Sequence, residues 1–331
     1  MSPQPQEREG AVPFVDFMAH ALHDPKRGYY ARQIRGVGGR GDFATACTLF
    51  LEFGEAIAGW LNAERQAQPL IRNVIEIGAG DGSLFKAVRR ACGFWRRHLW
   101  RWYIVESSPV LRKQQQALLG NSVVWHKRLE DALVATKGEA FLFHNELLDA
   151  FPAHLLEWRG GSWQEVLIRP DGDEQLAPLT LPEDELADFT VFDAWKPAEG
   201  QRCELHRSVR DWMNGWASHW RHGSMLTIDY GGPFPGLYQR RPRGTLRAYL
   251  LHQRLEGKEV YANPGRQDIT ADINFSDLRR WGCRLGWRET DFLPLHEFLV
   301  RHLPANRRPA VLLNPDGAGG AFQCLMVRPT G

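Results

Sequence analysis

From Asn73 onward, short apolar runs alternate with stretches whose apolar residues recur at helical spacing: "NVIEIG" then "SLFKAVRRAC", "RWYIVES" then "PVLRKQQQALLG", "SVVWHK" then "LEDALVAT", and "EAFLFHNE". "SMLTIDYG" and a final "AFQCLMVR" add two more runs. Apolar runs of this length, alternating with helices, are how strands of a parallel sheet read, so the pattern predicts an α/β fold with helices on both faces. Helical spacing also marks "VPFVDFMAHALHD" and "TLFLEFGEAIAGWLNAERQ" ahead of the first run, and segments near 276–285 and 295–303. Two stretches interrupt the alternation. Residues 151–223 hold a hairpin pattern, "HLLEW" turning through "RGGS" into "WQEVLI", then a Trp-rich helix; residues 232–275 are rich in Gly, Pro and Arg.

The chain has 331 residues, 43% hydrophobic and 24% charged, enough for one large α/β domain with insertions or for two domains. No stretch approaches the roughly 20 apolar residues of a membrane span, and "MSPQPQEREGAVPF" has neither the apolar centre of a signal peptide nor an Arg-rich transit helix. The expectation is a cytoplasmic protein with no membrane partner. Its five cysteines are odd in number and never spaced CxxC, which signals neither a disulfide framework nor zinc. His20 and His23 lack a third ligand nearby, so no metal is expected. A net charge of +2 does not imply nucleic acid, and "WRRHLWRW" reads as a solvated helix. There is no G-x-S-x-G elbow and no Cys with an evident His partner, so covalent catalysis has no support.

The first run ends in three glycines, Gly78, Gly80 and Gly82. In open α/β sheets ligands bind at that strand-to-helix turn. A dinucleotide favours G-x-G-x-x-G, whereas here the third position of that form is Ser83. Glu76, just before the glycines, would repel a pyrophosphate and attract a sulfonium or an ammonium. Glu106 ends the next run, 24 residues after Gly82, where an acid hydrogen-bonds ribose hydroxyls. Together these favour S-adenosyl-L-methionine, with a nicotinamide cofactor left as the alternative.

Further blocks carry a resemblance: "HDPKRGYY", "GDFAT", "FGEAIA", "VIEIGAGDGSL", "VESSPVLRKQQ", "NELLDAFPAH", "IDYG", "GTLRAYLLH" and "NPGRQDITADINFSDL". From about Phe14 to Trp287 the chain resembles the MidA family of class I SAM-dependent methyltransferases. The resemblance implies a Rossmann-like, mostly parallel seven-stranded sheet in residues 71–331, with the insertions 151–223 and 232–275 as a substrate-side lid and residues 1–70 as a helical segment over the cofactor. It implies protein arginine methylation linked to respiratory complex assembly. It also sets Asp42 and Thr45 in a loop over the cofactor, although a helix N-terminus reads equally well. Ala46 to Leu49 depart from the family's usual Ser-Pro continuation.

Asn145 and Glu146 end the fourth run and Asp149 follows within a turn. Paired carboxylates clamp a guanidinium through parallel hydrogen bonds, so Glu146 and Asp149 are expected to position the acceptor, with Asn145 nearer the cofactor. The plain alternative for Asp149 is a helix cap. Asp229 either faces the same cleft or forms a turn before Gly231. Glu130 or Asp131 either approaches the adenine or caps a helix, and Asp268 with Thr270 either faces substrate or makes local turn contacts. The expected partner is a protein substrate, not nucleic acid, and a homodimer stays open. Two other functions also stay open: a SAM-binding assembly factor or chaperone without catalysis, and a nicotinamide-dependent oxidoreductase.

Overall fold

Seven of the strands lie in one sheet in the order Val124–His126, Arg101–Val105, Asn73–Ile77, Phe141–Asn145, Met225–Gly232, Phe322–Pro329 and Trp287–Pro294, and the chain reaches them alternately with helices. The computed structural model describes residues 10–32, 51–93, 99–251 and 253–330. Helices α1 (Phe14–His23) and α2 (Leu51–Ala67) precede β1 (Asn73–Ile77), α3 (Ser83–Ala91), β2 (Arg101–Val105), α4 (Pro109–Leu119), β3 (Val124–His126), α5 (Leu129–Ala135) and β4 (Phe141–Asn145). The first insertion ends with α6 (Arg207–Trp216), and β5 (Met225–Gly232) follows it. The second insertion leads to α7 (Phe275–Arg284), β6 (Trp287–Pro294), α8 (Leu295–His302) and β7 (Phe322–Pro329). Strands β1 to β5 pair in parallel, while β7 runs antiparallel to both β5 and β6. The two-residue strand Ile273–Asn274 adds to the end of β5.

Successive side chains of a strand point to opposite faces, and both faces here are covered. Val74, Phe141, Phe143, Leu226 and Ile228 pack with α2, α3 and α8 in one core. Ile75, Ile77, Leu142 and Met225 pack with α5, α6 and α7 in the other. Each such side chain contributes about 1.5–3 kcal/mol on burial. Strand β6 is an exception to the apolar pattern. Its sequence "WRETDFLP" exposes Arg288, Glu289 and Thr290 at the edge of the sheet, so it gives no run to read.

The hairpin in the first insertion forms as expected, His154–Arg159 against Ser162–Ile168, with Gly160 and Gly161 supplying the positive φ of its tight turn. It belongs to a five-stranded antiparallel sheet that also takes in Val12–Pro13, Glu174–Pro178 and Arg202–Leu205. A third sheet, Gln253–Leu255, Arg247–Leu250 and Asp268–Thr270, comes from the second insertion. Within the 1–70 segment α1 packs on these insertions through Phe14, Met18 and Leu22, whereas α2 packs on the main sheet. No helix among the described residues is long and apolar enough to cross a membrane.

Gly231, near the end of β5, has φ +147°, and a Cβ there would lie 2.0 Å from the carbonyl oxygen of Ile273. Backbone cannot retreat from backbone, so Gly231→Ala is expected to cost about 3 kcal/mol and lower Tm by roughly 5 °C in scanning calorimetry.

Candidate cofactor and acceptor site

A cleft of about 460 Å³ opens along the carboxyl ends of β1, β2 and β4. That is within the usual range for small-ligand sites, roughly 300–1,000 Å³. Its floor is the glycine turn, where Gly78, Gly80 and Gly82 all have positive φ (69°, 53° and 83°), a path that residues with a Cβ follow only under strain. Gly78 N–H donates to the Val105 carbonyl at 2.9 Å, tying the turn to β2. Asp81 accepts from Ser83 N–H at 2.8 Å and holds the start of α3.

Glu76 lies within β1, is buried, and lines the cleft. Its Oε2 has no hydrogen-bond partner among the described residues. Burial raises its pKa well above the carboxylate range, and the like charges of Asp81 and Glu106 add to the shift. An orphaned buried carboxyl in this position suits an ammonium or another donor, and repels a phosphate. Glu106, immediately after β2, is also buried and raised by burial, opposed by hydrogen bonds from Ser108 N–H (2.9 Å) and Gln115 Nε2 (3.0 Å). Gln115 bridges three parts of the site. Its amide also donates to the Gly80 carbonyl at 2.8 Å, and its oxygen accepts from Trp125 Nε1 at 3.0 Å. The residues present therefore fit a cationic nucleoside with free ribose hydroxyls.

Glu130 is in the first turn of α5 and lines the cleft, with its carboxylate paired to Arg128 at 2.7 Å. That pair lowers its pKa and leaves its acidic charge at the cleft. Asn145, the last residue of β4, lines the cleft and donates to Glu146 Oε1 at 3.0 Å. Asp42 and Thr45 lie outside the described residues, as do Ala46 to Leu49.

Glu146 has φ +47°, a rare conformation for a residue with a side chain and one that costs free energy. Its N–H is fixed by the Ile228 carbonyl at 3.0 Å, so the strained backbone turns the carboxyl toward the cleft it lines. An edge of the group stays accessible, yet its pKa is pushed up to about 8. Burial is the main cause, the carboxylates of Asp149 and Asp268 add to it, and Asn145 and Arg247 oppose it. Asp149 is pushed up to about 7, first by burial and then by Asp268. It caps no helix, since none follows it before His154, and it sits behind Glu146 among buried charges. Asp268 accepts from Tyr30 Oη at 2.9 Å, and Tyr30 in turn lines the cleft, stacked on His23.

Asp229 departs from the expectation that it faces the cleft. Its carboxylate is fully buried and accepts from the backbone N–H groups of Leu147 (3.2 Å), Leu148 (2.8 Å) and Tyr230 (2.9 Å). It holds the loop after Glu146 and does not line the cleft. Thr270 is buried in the three-stranded sheet. Trp212 of the Trp-rich helix reaches the cleft beside Phe151, at 5.5 Å between ring centroids, while Trp216 and Trp220 are core. Local periodicity did not single out Tyr30, Gln115 or Arg247. Each nevertheless lies inside a block that carried the family resemblance, "HDPKRGYY", "VESSPVLRKQQ" and "GTLRAYLLH".

A family model described as "Putative S-adenosyl-L-methionine-dependent methyltransferase" matches residues 56–292. A Drosophila melanogaster protein named protein arginine methyltransferase NDUFAF7 homolog, mitochondrial, is 27% identical over 303 residues, covering 82% of this chain and 66% of that protein. The chain thus spans just under two thirds of the fly protein's length. The Danio rerio protein arginine methyltransferase NDUFAF7, mitochondrial, is 26% identical and covers 97% of this chain and 84% of its own. A Burkholderia thailandensis crystal structure, a COG1565 superfamily member and likely methyl transferase bound to S-adenosyl-homocysteine, matches with a TM-score of 0.80, 26% identity and coverage of 97% and 88%. The relatives correct one expectation. Both the fly and the fish proteins are named mitochondrial, so a cytoplasmic location does not follow from reduced cysteines or from the first residues.

Proposed function

The chain belongs to this family of S-adenosyl-L-methionine-dependent methyltransferases, and we propose that it methylates a protein, at an arginine held by Glu146. Bound in the cleft, S-adenosyl-L-methionine supplies a methyl group already activated on a sulfonium. The orphaned Glu76 carboxyl receives its ammonium, the oriented Glu106 carboxylate its ribose hydroxyls, and the wall of Leu129, Phe151 and Trp212 its adenine. These residues bind and orient.

The acceptor side needs alignment and a place for one proton. Glu146, aimed into the cleft by its strained backbone, holds a guanidinium nitrogen and takes up the proton that must leave it. Asp149 and Asp268 behind it supply negative charge that favours a cationic acceptor over a neutral one. Asp229 is a positioning residue, since it fixes Leu147 and Leu148 rather than touching a ligand. The relatives' names support an arginine acceptor in a protein. The single observation that carries the reading is the buried carboxylate at each side of the glycine turn, with Glu146 opening between cofactor and acid cluster.

Isothermal calorimetry tests the cofactor side. S-adenosyl-L-methionine and S-adenosylhomocysteine are expected to bind at about one per chain with affinity on the order of micromolar, and NAD is expected to give no heat of binding. Binding of NAD without either adenosyl ligand would refute it.

A further inference from the structure

A second and larger cavity, about 880 Å³, is built largely by the two insertions and is lined by Tyr230, which does not line the cofactor cleft. Among the described residues its lining carries seven cationic side chains and four acidic ones, while Asp173 and Glu199 outside the lining pair with Lys258 and Arg159 and leave a smaller net positive charge. Each of the four acids already has a basic partner. Glu157 takes Arg159 and Arg202, Glu174 takes Arg202, Asp272 takes Arg241 and Arg247, and Glu256 takes Arg254. Arg243 is exposed and has no side-chain partner among the described residues. Arg254 and Glu256 are both more than 60% exposed, and an ion pair so placed contributes little and exchanges readily, whereas Arg159 and Arg241 are about half exposed and pair with the buried Glu157 and Asp272.

The cavity shares a wall with the acid cluster. The Arg247 guanidinium is buried 4.9 Å from the Tyr230 ring and bonded to Asp272, and its charge acts on Glu146 and Asp149. Tyr230 itself follows Asp229 at the end of β5. A chain lying in the basic cavity is therefore one side chain away from the acids that face the acceptor. Guanidinium forks match carboxylates bidentately, and Leu155, Leu246 and Pro242 among them offer apolar contact for a peptide.

We infer that this cavity docks an acidic segment of the same protein whose arginine enters the acid cluster. The inference rests on the reading above and deepens it: the substrate carries carboxylates beside its target, so opposite charges at the two ends of the site set its register. Recognition is bipolar.

The test measures binding alone. A fluorescein-labelled peptide alternating Glu and Gly is titrated with the S-adenosylhomocysteine-loaded protein by fluorescence anisotropy, against the same peptide with Gln for Glu. The Glu peptide is expected to bind at least about tenfold tighter, and to weaken at least about tenfold between about 50 and about 200 mM salt. The double variant Arg243→Glu, Arg254→Glu is expected to lose at least about tenfold in peptide affinity while keeping S-adenosylhomocysteine affinity and Tm, with Arg243→Gln intermediate. Equal binding of the Glu and Gln peptides, absence of binding, or a variant within about twofold of wild type would overturn the inference. So would tighter binding of a single-stranded oligonucleotide, which would mark a nucleic-acid face. No turnover enters the measurement, so its failure is distinct from a failure of methyl transfer, which adenosyl-ligand calorimetry and methyl labelling report separately.

Discussion

Glu146→Gln is expected to lower kcat about a thousandfold while leaving affinity for S-adenosyl-L-methionine within about threefold. The amide keeps the shape and the hydrogen bond to Asn145 but cannot take a proton or hold a cationic nitrogen by charge. Its effect should therefore fall on the acceptor step. The pH profile supplies a signature that a structural role would not give. Wild-type kcat/KM needs the carboxylate, and Glu146 and Asp149 lie at about 8 and about 7. Activity should therefore rise with pH through that window and fall by roughly tenfold per unit below it. Stability goes the other way: both groups hold protons in the folded state that the unfolded chain has released, so stability is lost as pH rises from about 4 toward about 8. An acid limb shifted to the ordinary carboxylate range, or a fully active Glu146→Gln protein, would remove Glu146 from this role.

Glu106→Ala is expected to weaken S-adenosyl-L-methionine binding by about a hundredfold or more, with Tm unchanged or raised. Two hydrogen bonds from ribose hydroxyls to a charged group are worth about 1.5–3 kcal/mol each, and about 1.4 kcal/mol is tenfold in affinity. Stability does not follow affinity, because burial already disfavours the Glu106 charge in the free protein and its removal relieves that cost. Gln115→Ala should give a milder loss in the same titration, since it frees Glu106 and the Gly80 carbonyl together. A Glu106→Ala protein with normal cofactor affinity would place the ribose elsewhere.

The parallel strands were legible because they are buried on both faces, which leaves "NVIEI" and "FLFHN" mostly apolar, with polar residues only at Asn73, Glu76, His144 and Asn145. The edge strand β6 was not, because half-exposed positions admit Arg288 and Glu289. Short strands such as Arg247–Leu250 escaped for another reason: four residues are too few for a period to show. Site residues followed the same division. Glu76, Glu106, Asn145 and Glu146 are tied to strand ends, so their place at the cleft follows from topology alone. Tyr30, Trp212 and Arg247 arrive from α1's neighbourhood and from the insertions, and only tertiary packing brings them in. Asp229 stands at a strand end as well. What no strand pattern reveals is that the loop at Leu147 and Leu148 turns its N–H groups onto that carboxylate.

The most direct measurement incubates the purified protein with methyl-labelled S-adenosyl-L-methionine and a protein extract, then identifies the labelled residue in the product by mass spectrometry. Labelled methylarginine in a polypeptide, absent with Glu146→Gln, is the predicted result; label on another residue, on a small molecule, or undiminished by that substitution would contradict the account.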